Sequence, residues 1–337
     1  MASRATLRRH KLSYAKYGYM FILPFFVVYA IFQLYPLIYT FLISTQRATG
    51  KGKDAMEFVG LKNFAELVLG SGGRTAASLH SAFVQTFSNT LVIWIGNFIP
   101  QIIISLLLAV WFTDNKLKIK GKGFFKVIMY MPNIITAASV ATLFLVLFDE
   151  AKTGVVNSTL LSLNFIDEPI KFINTHWLKR ATIAFIQCWM WFGNTTILLI
   201  SGVLGINPSL FEAAEIDGAN SRQVFFNITV PLLQPIFVFT IVTSMIGGLQ
   251  MFDIPWLYNV GVTKDPFTKT IACFIFERYS GTLKNYGISA AASILLFIVT
   301  SILGIIIFYL QRDKDEIALK KFRKSQAKNA LKGGLGI

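Results

Sequence analysis

The sequence predicts an all-α polytopic membrane protein with six transmembrane helices. Of its 337 residues, 54% are hydrophobic and only 15% are charged, whereas soluble domains carry roughly 25% charged residues. Mean hydropathy is +0.58. Six uncharged stretches each exceed the roughly 20 residues that a helix needs to cross about 30 Å of hydrocarbon. Lipid is therefore the predicted solvent for most of this chain.

The six stretches set the predicted organisation of the chain. The first is about twice as long as a signal-peptide core and lacks a small-residue cleavage site, so we predict a permanent anchor. The short apolar run 270–276 cannot cross and is predicted to pack outside the bilayer. Basic tails, residues 1–16 and 312–337, flank a transmembrane domain at 17–311. The stretches are 17–43, 81–113, 127–148, 181–211, 223–252 and 285–311.

Charge predicts the side of the membrane on which the tails lie. An even number of spans puts both termini on one side, which carries 19 Lys and Arg against 7 Asp and Glu, whereas the other side carries 13 against 10. The positive-inside rule predicts cytoplasmic termini, and parity places residues 205–229 in the cytoplasm as well. Basic tails of this kind meet anionic membrane lipids or water, so the net charge of +15 does not indicate a nucleic-acid partner.

The cytoplasmic segment 205–229 reads as a helix, a break and a second helix. Asn207 is suited to cap the first helix, Pro208 fits its first turn, and Gly218 supplies the break. Ser221 is the predicted cap of the second helix. Small residues would let another protein approach closely, while carboxylates offer partners to Arg or Lys, although a plain solvated hairpin is the alternative. These residues are Ala213, Ala214, Gly218 and Ala219, with Glu212, Glu215 and Asp217.

The same segment resembles the EAA signature of binding-protein-dependent ABC importer permeases. The match consists of Glu212-Ala213-Ala214, Asp217-Gly218-Ala219, Ile228, Pro231 and Pro235, with Val230 replacing the usual Leu. The six-span layout and the "FVGLKNFAEL" entry after the first span are similar to the carbohydrate-uptake group, which includes maltose-type and glycerol-phosphate-type permeases. The resemblance covers essentially the whole chain.

The resemblance implies a type I ABC importer fold in a bacterial inner membrane, with both termini cytoplasmic. It implies that residues 212–219 form a coupling helix on a cytoplasmic ATPase, where Glu212 pairs with a basic residue and Gly218 permits the bend. The implied partners are a second homologous permease, forming a heterodimer, two ATPase subunits that bind ATP and Mg, and an extracytoplasmic sugar-binding protein. The loops 44–80, 149–180 and 253–284 allow only short helices, which departs from the maltose-type permease and its extra outer domain.

Polar side chains follow a helical spacing within three spans. In the fourth span Gln187, Trp191 and Asn194 stand at i, i+4 and i+7, which is one helix face. Amides bond to hydroxyls and an aromatic ring covers a pyranose face, without the cost of an intramembrane charge. Interhelical packing is the alternative role, and we favour it for the second span. The other sets are Trp94, Asn97 and Gln101 in the second span and Thr243, Gly247 and Gln250 in the fifth.

In the family, the fourth and fifth spans line the translocation path. The resemblance therefore assigns Gln187, Trp191, Asn194 and Gln250 to the substrate pathway. The sugar itself stays open, from monosaccharides to oligosaccharides or a glycerol phosphate.

The sequence indicates neither catalytic residues nor a metal site. Neither "GKG" run completes a phosphate-binding loop, so this chain is predicted to bind no cofactor. His10, His80 and His176 lack metal-ligand spacing, and Cys188 and Cys273 suggest no disulfide framework. Two rival classes stay open: a secondary transporter, which would show more spans or charged relays, and a non-transporting scaffold, which would need no patterned amides.

Overall fold

The computed structural model describes residues 15–48, 56–114, 117, 119–259, 265–281 and 284–310. Its helices confirm the all-α class, and its only described strands form one small antiparallel pair. Five segments are long and apolar enough to cross a membrane, and a sixth crossing results when one bent pair of helices is counted as a span. The predicted basic tail residues 1–14 and 312–337 lie outside the described residues, as do Lys116 and Lys118. The five segments are Lys16–Ser44, Arg74–Thr113, His176–Leu204, Gln234–Leu257 and Tyr286–Tyr309.

The first span consists of α1 (Ala15–Tyr29) and α2 (Tyr35–Ser44), joined by one π-helical turn, Ala30–Leu34. The wide turn comes just before Pro36, whose ring has no N–H to donate and crowds the preceding turn. None of the apolar window of this span is buried within the described chain. The first span therefore presents nearly all of its apolar surface to whatever surrounds the subunit.

A small polar unit follows the first span and fixes it against the last one. Strands β1 (Gln46–Ala48) and β2 (Met56–Phe58) pair antiparallel and lie next to α3 (Lys62–Leu69). Arg47 donates to Glu66 at 2.9 Å, and Asn63 donates to the Ser44 and Gln46 carbonyls. At the start of α15 (Tyr286–Leu310), a Cβ on Gly287 would lie 2.0 Å from the Gln46 carbonyl oxygen. Only glycine fits this approach.

Helices α4 (Arg74–Thr113) and α8 (His176–Leu204) form the centre of the bundle. The 40 residues of α4 rise about 60 Å, twice the hydrocarbon thickness, so α4 begins well before the predicted span start at residue 81. In α8, 61% of the most apolar window is buried, against 28% in α4. The apolar side chains of Ile93, Ile183 and Ile186 fill the contact between these helices.

The third predicted span is not one straight helix. Helices α5 (Lys122–Ile134) and α6 (Ala137–Leu147) are bent by 95°. Ile135 adopts extended geometry, and the Thr136 hydroxyl then caps α6 by accepting from the Ser139 amide at 3.3 Å. The expectation of a continuous helix over 127–148 is therefore wrong. Hydropathy misses the bend because both arms are apolar and the cap residues are uncharged.

The remaining loops contain short helices, as predicted. They are α7 (Val155–Ser162), α13 (Asp253–Leu257) and α14 (Ile271–Ser280). Helix α14 contains residues 271–276 of the apolar run, with Thr270 as its cap, and it is not one of the spanning segments, in agreement with the predicted length limit. Its Phe274 is buried against α4 and α15. The fifth span is α12 (Gln234–Leu249), which leads into α13.

Candidate functional site

The first candidate site is the hairpin between the fourth and fifth spans. Helix α9 (Pro208–Ile216) starts after Asn207, whose side-chain oxygen accepts from the Ser209 amide at 3.1 Å. The helix ends at Ile216, and Gly218, two residues later, has φ +72°. The amide of Ala219 reaches back to the Ala214 carbonyl at 2.9 Å, which closes a glycine-dependent helix end. The predicted cap at Asn207 and break at Gly218 are confirmed.

The predicted cap of the second helix is wrong by one residue. Helix α10 (Ser221–Val224) is capped by Asn220, whose side chain accepts from the Gln223 amide at 2.9 Å while the Gln223 side chain accepts from the Asn220 amide at 2.8 Å. This reciprocal pair needs a Glu or Gln three residues after the cap. Ser221 has Val224 at that place and cannot form it. A π-helical turn, Phe225–Thr229, and the one-turn helix α11 (Val230–Leu232) then lead into α12.

The hairpin exposes most of its signature residues. Glu212, Ala213, Asp217 and Gly218 are exposed, Ala219 is half-buried, and Ala214 is buried against the bundle. Within the described part of the chain, no ion pair involves Glu212 or Asp217. The side chain of Ile216 is 87% exposed, the highest value of any large apolar residue described. Sequence reasoning did not select Ile216, although its spacing after Glu212 and Ala213 places it on their face.

A cleft of about 360 Å³ separates the hairpin from the ends of the two central helices. The end of α4 contributes Val110 and Asp114, and α8 contributes Val203 and Leu204. From α9, Phe211, Glu212 and Glu215 line the opposite wall. The hairpin therefore faces the ends of α4 and α8 across this cleft.

The second candidate site is a cavity of about 480 Å³ among α4, α8, α12 and α13. It contains all four residues assigned to the pathway from the sequence. It also contains the polar sets selected in the second and fifth spans. These residues are Gln187, Trp191, Asn194 and Gln250, together with Trp94, Asn97, Gln101, Thr243 and Gly247.

Hydrogen bonding divides these polar residues into two groups. The side chain of Gln101 donates to the Thr195 hydroxyl at 2.7 Å, and the indole N–H of Trp94 donates to the Ser244 hydroxyl at 3.1 Å. These two side chains hold neighbouring helices together, as the packing alternative for the second span predicts. A further group makes no side-chain hydrogen bond within the described residues. Its members are Asn97, Gln187, Asn194 and Gln250.

The uncommitted amides are also accessible from the cavity. Asn194, Gln250 and the ring of Trp191 are exposed, whereas Gln187 is 9% exposed. None of their polar atoms is fully buried without a partner. Within the described residues, the cavity therefore presents unpaired amide donors and acceptors beside the accessible indole of Trp191.

A close helix contact shapes one wall of the cavity. A Cβ on Gly248 would lie 2.0 Å from Cδ1 of Trp94 and 2.6 Å from its Cγ. The ring therefore lies directly against the α12 backbone, and it also stacks on Phe98 with ring centroids 5.8 Å apart. The adjacent Gly247 faces open space, since a Cβ added there would have no other atom within 4 Å.

A polar network joins the start of α8 to the loop that follows α13. Buried Lys179 donates to Asn259 at 2.9 Å, and Asn259 in turn accepts from the Asp265 amide at 2.9 Å. The Asp265 carboxylate contacts the His176 ring at 2.9 Å, and Arg180 donates to the Phe267 carbonyl. Sequence reasoning missed this network because its members lie about 80 to 90 positions apart along the chain.

Two loop side chains beside this network are shielded from water. Burial raises the pKa of the Tyr258 phenol, and the charge of Glu150 adds to the effect. Burial also raises the pKa of the Cys273 thiol, which lies 3.1 Å from the Thr270 hydroxyl. These two groups are therefore neutral at physiological pH and add no charge to the described loop.

Comparison with known proteins identifies a family. Residues 70–315 match the model of the binding-protein-dependent transport system inner membrane component. A lactose transport system permease protein of Rhizobium radiobacter is 28% identical over 93% of this chain and 98% of its own length. An arabinooligosaccharide transport system permease protein of Bacillus subtilis is 29% identical over 86% of each chain. A trehalose/maltose transport system permease protein of Thermococcus litoralis is 28% identical over 89% of this chain and 95% of its own length.

Solved structures share the fold. A bacterial ABC transporter that imports the acidic polysaccharide alginate has a chain that matches with a TM-score of 0.70, covering 88% of this chain and 95% of that one. The same type of transporter, solved with a periplasmic protein bound to an alginate pentasaccharide, matches with a TM-score of 0.71. Sequence identity is 22% in both comparisons, so the likeness concerns the arrangement of helices.

Proposed function

Because this chain belongs to the family of binding-protein-dependent transport system inner membrane components, we propose that it forms half of the translocation pathway for a sugar in an ATP-driven importer. Family membership makes the chain a multi-pass subunit of a transport system and not an enzyme. It also sets aside the secondary transporter and the scaffold, the two rival classes that the sequence left open.

The accessible amides in the central cavity carry the proposal of a sugar substrate. Asn194, Gln250 and Gln187 have hydrogen-bonding capacity that the described chain does not use, and Trp191 offers a ring face beside them. Sugar hydroxyls both donate and accept, which suits side-chain amides. The named relatives serve lactose, arabinooligosaccharide and trehalose/maltose systems, which are all sugars.

We further propose that the hairpin is the coupling element, held by a cytoplasmic ATPase. The exposed carboxylates of Glu212 and Asp217 and the exposed apolar side chain of Ile216 support a protein contact, because each is available on one small surface. Ala213 and Gly218 add little side-chain bulk to that surface, so another protein can approach it closely. Two ATPase subunits, which bind ATP and Mg, would supply the energy, and this chain would bind no cofactor.

The remaining partners and the orientation are part of the same proposal. A second, homologous permease subunit would complete the pathway, since the six spans of one chain supply half of it. An extracytoplasmic binding protein would deliver the sugar to the loops that contain α7 and α14. The excess of Lys and Arg near the termini supports cytoplasmic ends in a bacterial inner membrane.

The test measures uptake of radiolabelled lactose, arabinotriose and maltotriose in cells that lack the chromosomal copy of this chain. The wild-type chain should restore uptake of at least one sugar. Asn194→Ala should reduce apparent affinity about two- to tenfold, which is the worth of one hydrogen bond. Ser201→Ala serves as the control, because Ser201 is exposed on the same helix outside the cavity and bonds only to its own helix. No restored uptake, or equal effects of both variants, would overturn the proposal.

A further inference from the structure

The cavity wall of this chain is almost free of charge. Among its described lining residues, Asp253 is the single charged side chain, and the other polar members are amides, hydroxyls and indoles. Asp253 stands at the first turn of α13, at the end of the cavity remote from the hairpin. It is exposed and makes no ion pair or side-chain hydrogen bond within the described residues. The electrostatic potential within the cavity is therefore negative at this end, and no charged side chain of the described lining compensates it.

The described Lys and Arg side chains of the polar network are bonded to protein acceptors. Lys179 is buried and bonded to Asn259 within the polar network. Arg180 donates to the Phe267 carbonyl and to the Asn89 side chain. These lysine and arginine groups are unavailable to a ligand in the cavity. In the described chain, Lys269 is likewise paired, with Glu277 at 2.8 Å.

This distribution sets the charge of the substrate. A neutral sugar can exchange its water hydrogen bonds for those of Asn194, Gln250 and Gln187 at little cost. A carboxylate loses hydration on entering the cavity and gains no cation from the described lining of this chain, and it also meets the charge of Asp253. The fold does not impose this preference, because a solved importer of the same fold carries an acidic polysaccharide.

We propose that this cavity selects neutral over anionic sugars and that Asp253 is a specificity-determining residue at its mouth. The inference rests on the proposed function, since it concerns the sugar that the cavity takes. It narrows the substrate from sugars in general to neutral ones and excludes uronates and sugar phosphates.

The test measures equilibrium binding to the full chain, copurified with its partner subunits in nanodiscs. The binding protein is left out so that its own selectivity does not enter. The neutral probes are maltopentaose and arabinopentaose, and the anionic probes are pentamers of mannuronate and galacturonate. Wild-type protein should bind at least one neutral probe on the order of tenfold more tightly than either uronate. Added salt should weaken this discrimination, because it screens the charge of Asp253.

Two variants isolate the charge at the mouth. Asp253→Asn should reduce the ratio of neutral to uronate affinity and make that ratio independent of salt. Asp253→Lys should raise uronate affinity on the order of tenfold, while the affinity for neutral probes stays within about twofold of wild type. Asp167→Lys makes the same charge change at an exposed position outside the cavity, and it should change neither the uronate affinity nor the discrimination between neutral and anionic probes.

The outcomes separate the two proposals. Equal binding of neutral and anionic probes would overturn the charge selection while leaving a sugar pathway in place. An unchanged uronate affinity in Asp253→Lys, or an equal gain in Asp167→Lys, would overturn the role of Asp253. Failure of every probe to bind would overturn the sugar pathway itself.

Discussion

The contact between Trp94 and Gly248 permits a sharp test of the cavity wall. A methyl group on Gly248 would lie 2.0 Å from Trp94 Cδ1, 2.6 Å from Cγ and 2.8 Å from Nε1. Ordinary van der Waals contact needs more than about 3.4 Å, so the ring and α12 must separate by more than 1 Å. The indole cannot swing aside freely, because it stacks on Phe98 and bonds to Ser244. Gly248→Ala therefore overpacks the wall.

The cost follows from three contributions. Overpacking typically costs about 1–3 kcal/mol, and loss of the Trp94–Ser244 hydrogen bond costs about 0.5–1.5 kcal/mol more. Replacing a glycine within a helix by alanine raises the free energy of unfolding by roughly 1 kcal/mol, which offsets part of this cost. We expect Gly248→Ala to lower the free energy of unfolding by about 1–3 kcal/mol. Gly247→Ala, one residue away with nothing within 4 Å, should be neutral or stabilising by up to about 1 kcal/mol.

Thermal unfolding in detergent, monitored by tryptophan fluorescence, measures both variants. Combining Gly248→Ala with Trp94→Leu should recover part of the loss, because the smaller side chain makes room for the methyl group. A double-mutant cycle should give a coupling energy of about 1 kcal/mol or more between these contacting residues. Equal stability of the two glycine variants, or strictly additive effects in the cycle, would refute the packing described.

Three further predictions concern the hairpin and the loop that contains α14. Glu212→Lys should abolish uptake while the chain still inserts and the ATPase keeps its basal rate; unchanged uptake, measured with the same labelled sugars, would contradict the coupling role. Gly218→Val should cost about 1–2 kcal/mol in thermal unfolding, since φ is +72° there, whereas Gly123→Val, at an ordinary φ with nothing within 4 Å, should cost less than about 1 kcal/mol. Because burial raises the pKa of the Cys273 thiol, its thiolate fraction at pH 7 is small. In a Cys188→Ser background, maleimide should therefore label Cys273 far more slowly in the folded protein than in the unfolded protein. Equal labelling rates would exclude the buried placement of Cys273.

The spans were predictable because lipid imposes one simple requirement on sequence. A helix must hide its backbone polar groups over about 30 Å, and uncharged stretches record that directly. Two details lie beyond this signal. Helix α4 continues past its apolar core to Arg74, where a charged, water-facing turn adds no hydropathy. The bend between α5 and α6 depends on the Thr136 cap, which a membrane-length window averages away.

The cavity was predictable in membership but not in chemistry. Spacing alone placed Gln187, Trp191 and Asn194 on one helix face, and they meet in one cavity. Spacing could not separate Gln101 from Asn97, because the difference is whether a partner helix supplies a hydroxyl at bonding distance. Thr195 supplies one for Gln101. The network around buried Lys179 could not be predicted for the same reason, because its acceptors come from a loop that is distant in sequence.

The hairpin and the cavity are joined by α8, and the packing of α8 determines how a displacement passes between them. A Cβ on Gly193 would lie 1.8 Å from the Met129 carbonyl oxygen of α5, a backbone atom that cannot rotate aside. On another face, Ser105 of α4 donates to the α8 backbone at 2.8 Å. The end of α8 enters the hairpin through residues 205–207, where the Gly205 amide still bonds to α8. Close-packed interfaces shift between discrete arrangements and do not deform smoothly. If an ATPase pulls the hairpin, as proposed, we expect α4, α5 and α8 to move as one body and the wall that bears Asn194 to move with them.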